Sequence, residues 1–453
     1  MPSGMLGRRD VLRAVLLAPA IPGCWRSISA PPALPAAPLS TPWPHANAIL
    51  ERIARPRIPT TTFHATSFGA RGDGRTDDTD ALQSAIDACH ARGGGRVLLP
   101  AATFRTGALR LKSRVELRLD GATLRFSDDP ERFPPVRTRY EGLECVNRSP
   151  MIHADGETDI ALTGTGTLDA SATARWNRGS DRAGILEPLV ASGASPERRV
   201  VVDRLRTSTV EMIRCARVLV EGVTLTGAPF WQIHPTLCTD VMVDGVTTRD
   251  SGPNSDGCNP ESCDGVVIRR CSFASGDDNI ALKSGRDEDG RRIAVPCRNV
   301  VIVGCQAEGR FGFVACGSEQ SGGIENVYAF ANRTFGGGVG HALWIKSNPR
   351  RGGFTRNVNM SGFTGRVRDT VAVLTMSYDR QSGSLPPAFE RIRLDDLAVE
   401  AAGAVLEVEG RADSPIREFA LSDSTFTDVA AGDQVRHAQV SLRGVMVNGR
   451  PVR

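Results

Sequence analysis

Short apolar-alternating segments recur along this chain from residue 103 onward, roughly one every 20 to 35 residues, with no long helical pattern between them. They include Val115–Leu119, Ile160–Leu162, Val218–Leu225, Val241–Val246, Val266–Phe273, Val300–Cys305, Val327–Phe330, Val358–Met360 and Ile392–Leu394. The spacing is 23 residues from Val218 to Val241 and 25 from Val241 to Val266. A βαβ sheet would need a helical stretch between successive strands. Strands at this interval without helices predict an all-β chain wound as a parallel β-helix, a β-solenoid. Each coil of a solenoid buries its inward side chains only by stacking on the next, so residues 41–453 read as one domain. The solenoid's first coil needs a cover. Thr79–Ala91 supplies one, with Leu82, Ala85, Ile86 and Cys89 at helical spacing and Gly93-Gly94-Gly95 ending the pattern.

The remaining composition narrows the class. Gly is abundant, at 47 of 453 residues, and aromatics make up 5%, which suits short strands and turns. Formal net charge is +4, and residues 1–30 carry four Arg and one Asp. The rest is near neutral, with no basic stripe for nucleic acid. Gly7-Arg8-Arg9-Asp10-Val11-Leu12-Arg13 followed by the apolar run Ala14–Ile21 reads as a twin-arginine export signal. Residues 1–40 are therefore expected to be leader plus linker, and the body periplasmic or secreted. Cys24, in Ile21-Pro22-Gly23-Cys24, is a weak lipoprotein signal because Pro22 fits poorly. No segment is long enough to span a bilayer. The 11 Cys show no zinc-site spacing, and those near strands read as small buried hydrophobes. Asp73, Asp77, Asp78 and Asp80 read as turn and cap residues rather than as a calcium site.

The chemistry concentrates in residues 253–285. Asp256 lies in Asn254-Ser255-Asp256-Gly257, and Asp277 and Asp278 follow Gly276. Asp256 and Asp278 are 22 residues apart, about one coil, so stacking at roughly 4.8 Å gathers all three carboxylates in one patch. Like charges so close raise at least one pKa. A proton donor beside ionised partners is what glycoside hydrolysis needs. Each Asp alone could instead cap a turn. The chain has 52 Arg and three Lys, and Lys283 and Lys346 fall inside or near this region, where a compact ammonium suits better than a guanidinium.

These residues resemble the polygalacturonase family, the family 28 glycoside hydrolases of the pectin lyase-like β-helix group. The likeness covers roughly residues 60–380. Phe68–Gly74, Gly164–Asp169 and Phe230-Trp231-Gln232-Ile233-His234-Pro235 carry part of it. Asn254-Ser255-Asp256-Gly257, with Ser255 where the family usually has Thr, and Gly276-Asp277-Asp278 are its most specific motifs. The resemblance implies a right-handed parallel β-helix, a pectic polysaccharide or oligogalacturonide substrate, and no cofactor or metal. It implies Asp277 as general acid on the leaving oxygen, with Asp256 and Asp278 holding and deprotonating the water. Inversion then follows, with carboxylates roughly 6.5–9.5 Å apart to admit the water.

Two positions depart from the family pattern. A Gly-His-Gly motif is implied one coil after the acidic pair, and its His position is assigned to Arg310. An Arg-Ile-Lys motif is replaced by Trp344-Ile345-Lys346. Lys346 keeps a charge for a uronate carboxylate, while Trp344 offers a stacking face or simply packs. Arg310 cannot deprotonate and is expected to depress nearby carboxylate pKa values. Tyr378 matches a family tyrosine near the cleft, and Lys283 joins Arg310, Lys346, Tyr378 and Trp344 as expected substrate contacts. His341 offers a displaced substitute for the missing His. The departures leave three alternatives open: a branched or rhamnose-containing pectic chain, a carbohydrate-binding β-helix without catalysis, and a β-elimination lyase. Insertions at Thr173–Arg204 and Asp287–Cys297 suggest a cleft closed for action at chain ends.

Overall fold

The computed structural model describes residues 40–249, 252–401 and 403–452. The twin-arginine leader expected over residues 1–40 lies outside them up to residue 39. Among the described residues no helix is long and apolar enough to cross a membrane.

The chain winds into the expected right-handed parallel β-helix. One face is a 13-stranded sheet running from Thr62–His64 to Ala438–Arg443, and the second is a 14-stranded sheet. The third face is in two parts, of four strands and six. The coil between the two parts keeps only single bridges, Ile233–Cys258–Ile280 and Thr236–Glu261–Lys283. This thinned coil carries Asp256. Among the described residues, strand pairing is parallel except at the C-terminal turn-back and in one hairpin, Pro135–Tyr140 with Leu143–Arg148, with isolated antiparallel bridges at Ser180–Leu205 and Arg411–Ser414.

The stacking follows from side-chain shape. Val218, Val241, Val266, Val300, Val327, Val358 and Ile392 stand in register, one per coil. All are buried in one continuous apolar core running from Phe63 to Val445. β-Branched residues pack well on a pleated surface, and a repeated column lets each coil serve as template for the next.

Among the described residues, four α-helices decorate the coil. Helix α1 (Pro44–Arg52) lies on the outer face of the 13-stranded sheet, placing Ala46 and Ile49 against Leu219, Met242 and Val267. Helix α2 (Thr79–Ala91) is the expected cap, with Leu82, Ala85, Ile86 and Cys89 fully buried over the first coils. Helices α3 (Arg182–Ala191) and α4 (Asp287–Ile293) sit in the two long insertions. The acidic run before α2 is turn chemistry: Asp78 accepts from the Arg71 and Gly72 N–H groups, and Asp73 from those of Arg75 and Thr76. The ten described cysteines are buried and free, Cys258 and Cys263 included.

Candidate active site

Backbone stacking brings the acidic residues together. The Gln232 N–H donates to the Asp256 carbonyl, the Gly257 N–H to Asp278, and the Asn279 N–H to Gly312, each at 2.9–3.0 Å. Ser255 ties the two acidic turns: its hydroxyl donates to the Gly252 carbonyl at 2.7 Å and accepts from the Gly276 N–H at 3.1 Å. Asp256, Asp277 and Asp278 line one cleft of about 210 Å³. Lys283, Lys346 and Tyr378 line it too.

Each carboxylate has its own partners. Asp278 accepts from Lys346 Nζ at 2.7 Å and from the Gly312 N–H at 2.9 Å. A Cβ on Gly312 would meet Asp278 Oδ1 at 3.0 Å, so the close approach needs glycine there. Asp256 accepts from Asn259 Nδ2 at 2.9 Å and lies 3.8 Å from Lys283 Nζ. Asp277 accepts from the Asp278 N–H at 2.9 Å and from Asn254 Nδ2 at 3.4 Å. Burial, the Asp277 charge and the Asp278 charge push Asp256 up to about 8, against the pull of Lys283. Burial and Asp278 also raise Asp277, against Lys346 and Lys283. The two titrate as an interacting pair and hold a proton between them far above the ordinary carboxyl range.

Both lysines are buried and paired. Burial opposes the charge on Lys346, but the Asp278 carboxylate outweighs it and the pKa rises. Its Nζ sits 3.8 Å from the centroid of Trp344 and 5.5 Å from that of Tyr378. Lys283 is likewise raised, with Glu319 at 2.9 Å and Asp256 outweighing burial, and its Nζ lies 4.8 Å from the Trp231 ring. Ammonium groups over aromatic faces gain cation–π attraction once shielded from water.

A chain of ion pairs stands at one side of the cleft. Arg286 bonds both Glu319 and Glu141, and Arg182, the first residue of α3, bonds Glu141 and reaches Glu187 at 2.9 Å. Glu141 is at the tip of the hairpin. Behind the cleft floor, His234 is fully buried between Glu211 at 3.2 Å and Glu261 at 2.9 Å. Burial opposes its charge, yet the two carboxylates lift its pKa to about 9.

Residues 89–403, well over half of the chain, match the family model described as glycosyl hydrolases family 28. The chain belongs to that family. As a family 28 member it is a glycoside hydrolase. It is 27% identical to a probable polygalacturonase of Vitis vinifera over 83% of this chain and 77% of that one. It is 26% identical to an exo-poly-alpha-D-galacturonosidase of Dickeya chrysanthemi, over 75% of this chain and 61% of that enzyme. Among solved structures, the hyperthermoactive exopolygalacturonase of Thermotoga maritima superposes with a TM-score of 0.84 at 33% identity, over 90% of this chain and 96% of that one.

Not every residue singled out from the sequence of this family 28 member reaches the cleft. Arg310 is not among its lining residues; it is exposed at the bend between the strands Gln306–Gly309 and Gly312–Gly317. The place beside Asp278 is taken by the Gly312 backbone N–H, and the cations acting on Asp256 and Asp277 are Lys283 and Lys346. Trp344 also lies outside the lining. It backs Lys346 between His341 and Tyr378, with ring centroids 4.9 and 6.0 Å away. His341 is held by the Thr370 carbonyl at 2.7 Å. Conversely, the sequence reading did not single out Glu141, Arg182, Trp231, Arg286, Glu319 and Asp379 as cleft residues. Asp379 follows Tyr378 directly, and Trp231 lies in a quoted motif, so those two had a local signal.

Proposed function

We propose that the protein is an exported hydrolase of polygalacturonate-type pectic chains, acting by inversion and releasing units from chain ends. The observation that carries the reading is the convergence of Asp256, Asp277 and Asp278 on one small cleft with Lys283 and Lys346 behind them. In this reading a single β-helix domain over residues 41–453 follows a twin-arginine leader over residues 1–40.

Asp277 is the proton donor to the leaving oxygen. Burial and the Asp278 charge favour its protonated form, so it carries a proton to deliver. Asp256 and Asp278 hold the attacking water on the opposite face and accept its proton. The Asp256–Asp277 pair keeps one shared proton, and moving it onto Asp277 leaves Asp256 ionised as base. Lys346 keeps Asp278 oriented and compensates the negative charge of the cluster.

Action at chain ends is supported by the ion-paired group of Glu141, Arg182, Arg286 and Glu319, which lines the cleft with fixed charge. It is supported also by the likeness to the Thermotoga maritima exopolygalacturonase. Arg182 is the cation best suited to a terminal uronate carboxylate. Burial and the neighbouring Arg286 guanidinium make its charge costly, so a substrate carboxylate added to those of Glu141 and Glu187 is favourable.

Polygalacturonate digestion, followed by product sizing and proton NMR of the nascent anomer, tests this reading. Monogalacturonate or digalacturonate with inverted configuration from the first minutes is the expected result. A ladder of long oligomers would remove the chain-end reading, retention would remove the water-mediated mechanism, and an unsaturated product would indicate a lyase.

A further inference from the structure

A second groove, larger than the catalytic cleft at about 530 Å³, lies over the first coils of the third face. It shares no lining residue with the cleft. Helix α2 forms one wall through Gln83 and Asp87, and the base of the hairpin forms another through Pro134 and Val136. Arg110 and Lys112 point outward from alternate positions of one strand end, and Arg110 pairs in register with His153. From His153 the same row runs through Glu211 and His234 to the coil of Asp256. That is three coils, or about 14 Å along the axis at the usual strand spacing. The hairpin joins the two places, because its tip residue Glu141 lines the cleft and its base residue Val136 lines the groove.

The groove holds polar groups that the fold leaves unused. His153 is 4% exposed, and its Nδ1 has no hydrogen-bond partner. An orphaned buried nitrogen costs about 1–3 kcal/mol unless a ligand or water satisfies it. Burial also lowers the His153 pKa, leaving a neutral ring able to meet a hydroxyl. Lys112, the third lysine of the chain, has no ion pair among the described residues. Three acidic and three basic side chains line the groove, so recognition there falls to individual groups rather than to a net field. Balanced donors and acceptors beside the apolar groups of Ala108, Pro134 and Val136 match the hydroxyls and ring faces of a sugar.

We propose that this groove is a second, non-catalytic saccharide site, taking a uronate-bearing oligosaccharide segment with a sugar carboxylate on Lys112 and a hydroxyl on His153. The choice of uronate rests on the pectic reading of the cleft; the groove itself does not. The test is calorimetric titration of trigalacturonate into full-length Asp277→Asn protein, with and without Lys112→Glu. Lys112 is outside the catalytic cleft and half-buried at the surface, so the variant keeps the fold. One binding equivalent should weaken more than tenfold in Lys112→Glu. In the otherwise wild-type enzyme the same substitution should raise KM for polygalacturonate while leaving kcat on digalacturonate unchanged. Binding that Lys112→Glu leaves untouched would overturn the site. Equal binding of neutral galactotriose at the Lys112-dependent site would overturn its uronate assignment. Failure of the wild type to cleave polygalacturonate would bear on the cleft, not on this equivalent.

Discussion

Lys346 Nζ lies 2.7 Å from Asp278 Oδ2, with the two side chains 7% and 2% exposed. Removing one member of a buried pair strands the other charge and costs about 3–5 kcal/mol. Lys346→Met should therefore lower the melting temperature and abolish measurable hydrolysis. Adding Asp278→Asn should restore most of the melting temperature and none of the activity. Thermal melts of the single and double variants check this, and a double variant no more stable than Lys346→Met would break the pairing argument.

The shared proton on Asp256 and Asp277 sets the pH range of activity. The acid must be protonated and the water-holding carboxylate ionised. Loss of the pair's proton near pH 8 should end activity on the alkaline side. A steady-state kcat/KM profile should therefore fall with an alkaline limb near 8, well above the range of isolated carboxyls near 4. An alkaline limb below pH 6 would show that the pair does not hold its proton in the free enzyme.

The same proton links stability to pH. Asp256 gains its proton near pH 8 when folded and near 4 when unfolded. Between those values the folded chain holds a proton that the unfolded chain has released, so stability falls as pH rises from about 4 to about 8. His234, raised to about 9, adds stability that is complete below about 6.5 and lost as pH rises through 9. Asp256→Asn removes the first contribution and keeps the second. Its melting temperature should match wild type near pH 4 and exceed it near pH 8; parallel curves across that range would contradict the shift.

Arg182 tests how the cleft reads its substrate. Arg182→Gln keeps a donor for Glu141 but removes the charge. KM for oligogalacturonates should rise tenfold or more, equivalent to about 1.4 kcal/mol, with a smaller change in kcat. Longer products should appear as the ion-paired group loosens. An unchanged KM and product pattern would move uronate recognition to other residues.

Much of this architecture was legible because it repeats. The column from Val218 to Ile392 shows as β-branched residues at one-coil intervals, and α2 shows because Leu82, Ala85, Ile86 and Cys89 keep helical spacing. Coil length gathered the three aspartates in one patch, the family resemblance implied their roles, and the scarcity of lysine pointed to Lys283 and Lys346. What escaped was what does not repeat. Glu141 comes from a hairpin tip and Arg182 from an inserted helix, and neither has a spacing relation to the acidic coil. Helix α1 has few apolar positions after a Pro-rich stretch. Arg310 was placed by counting along a motif. The group that meets Asp278 is the Gly312 backbone N–H, and a backbone donor shows in a sequence only as a glycine among many.

In the proposed mechanism Asp277, held partly protonated by burial and the Asp278 charge, delivers the proton that breaks the glycosidic bond. The most direct test is the rate of reducing-end release from polygalacturonate by Asp277→Asn beside wild type, with the melting temperature of each. General-acid catalysis contributes about 10²–10⁴-fold, so the variant should lose at least a hundredfold in kcat while melting at or above the wild-type temperature. A fully folded Asp277→Asn protein that cleaves at the wild-type rate would contradict the account.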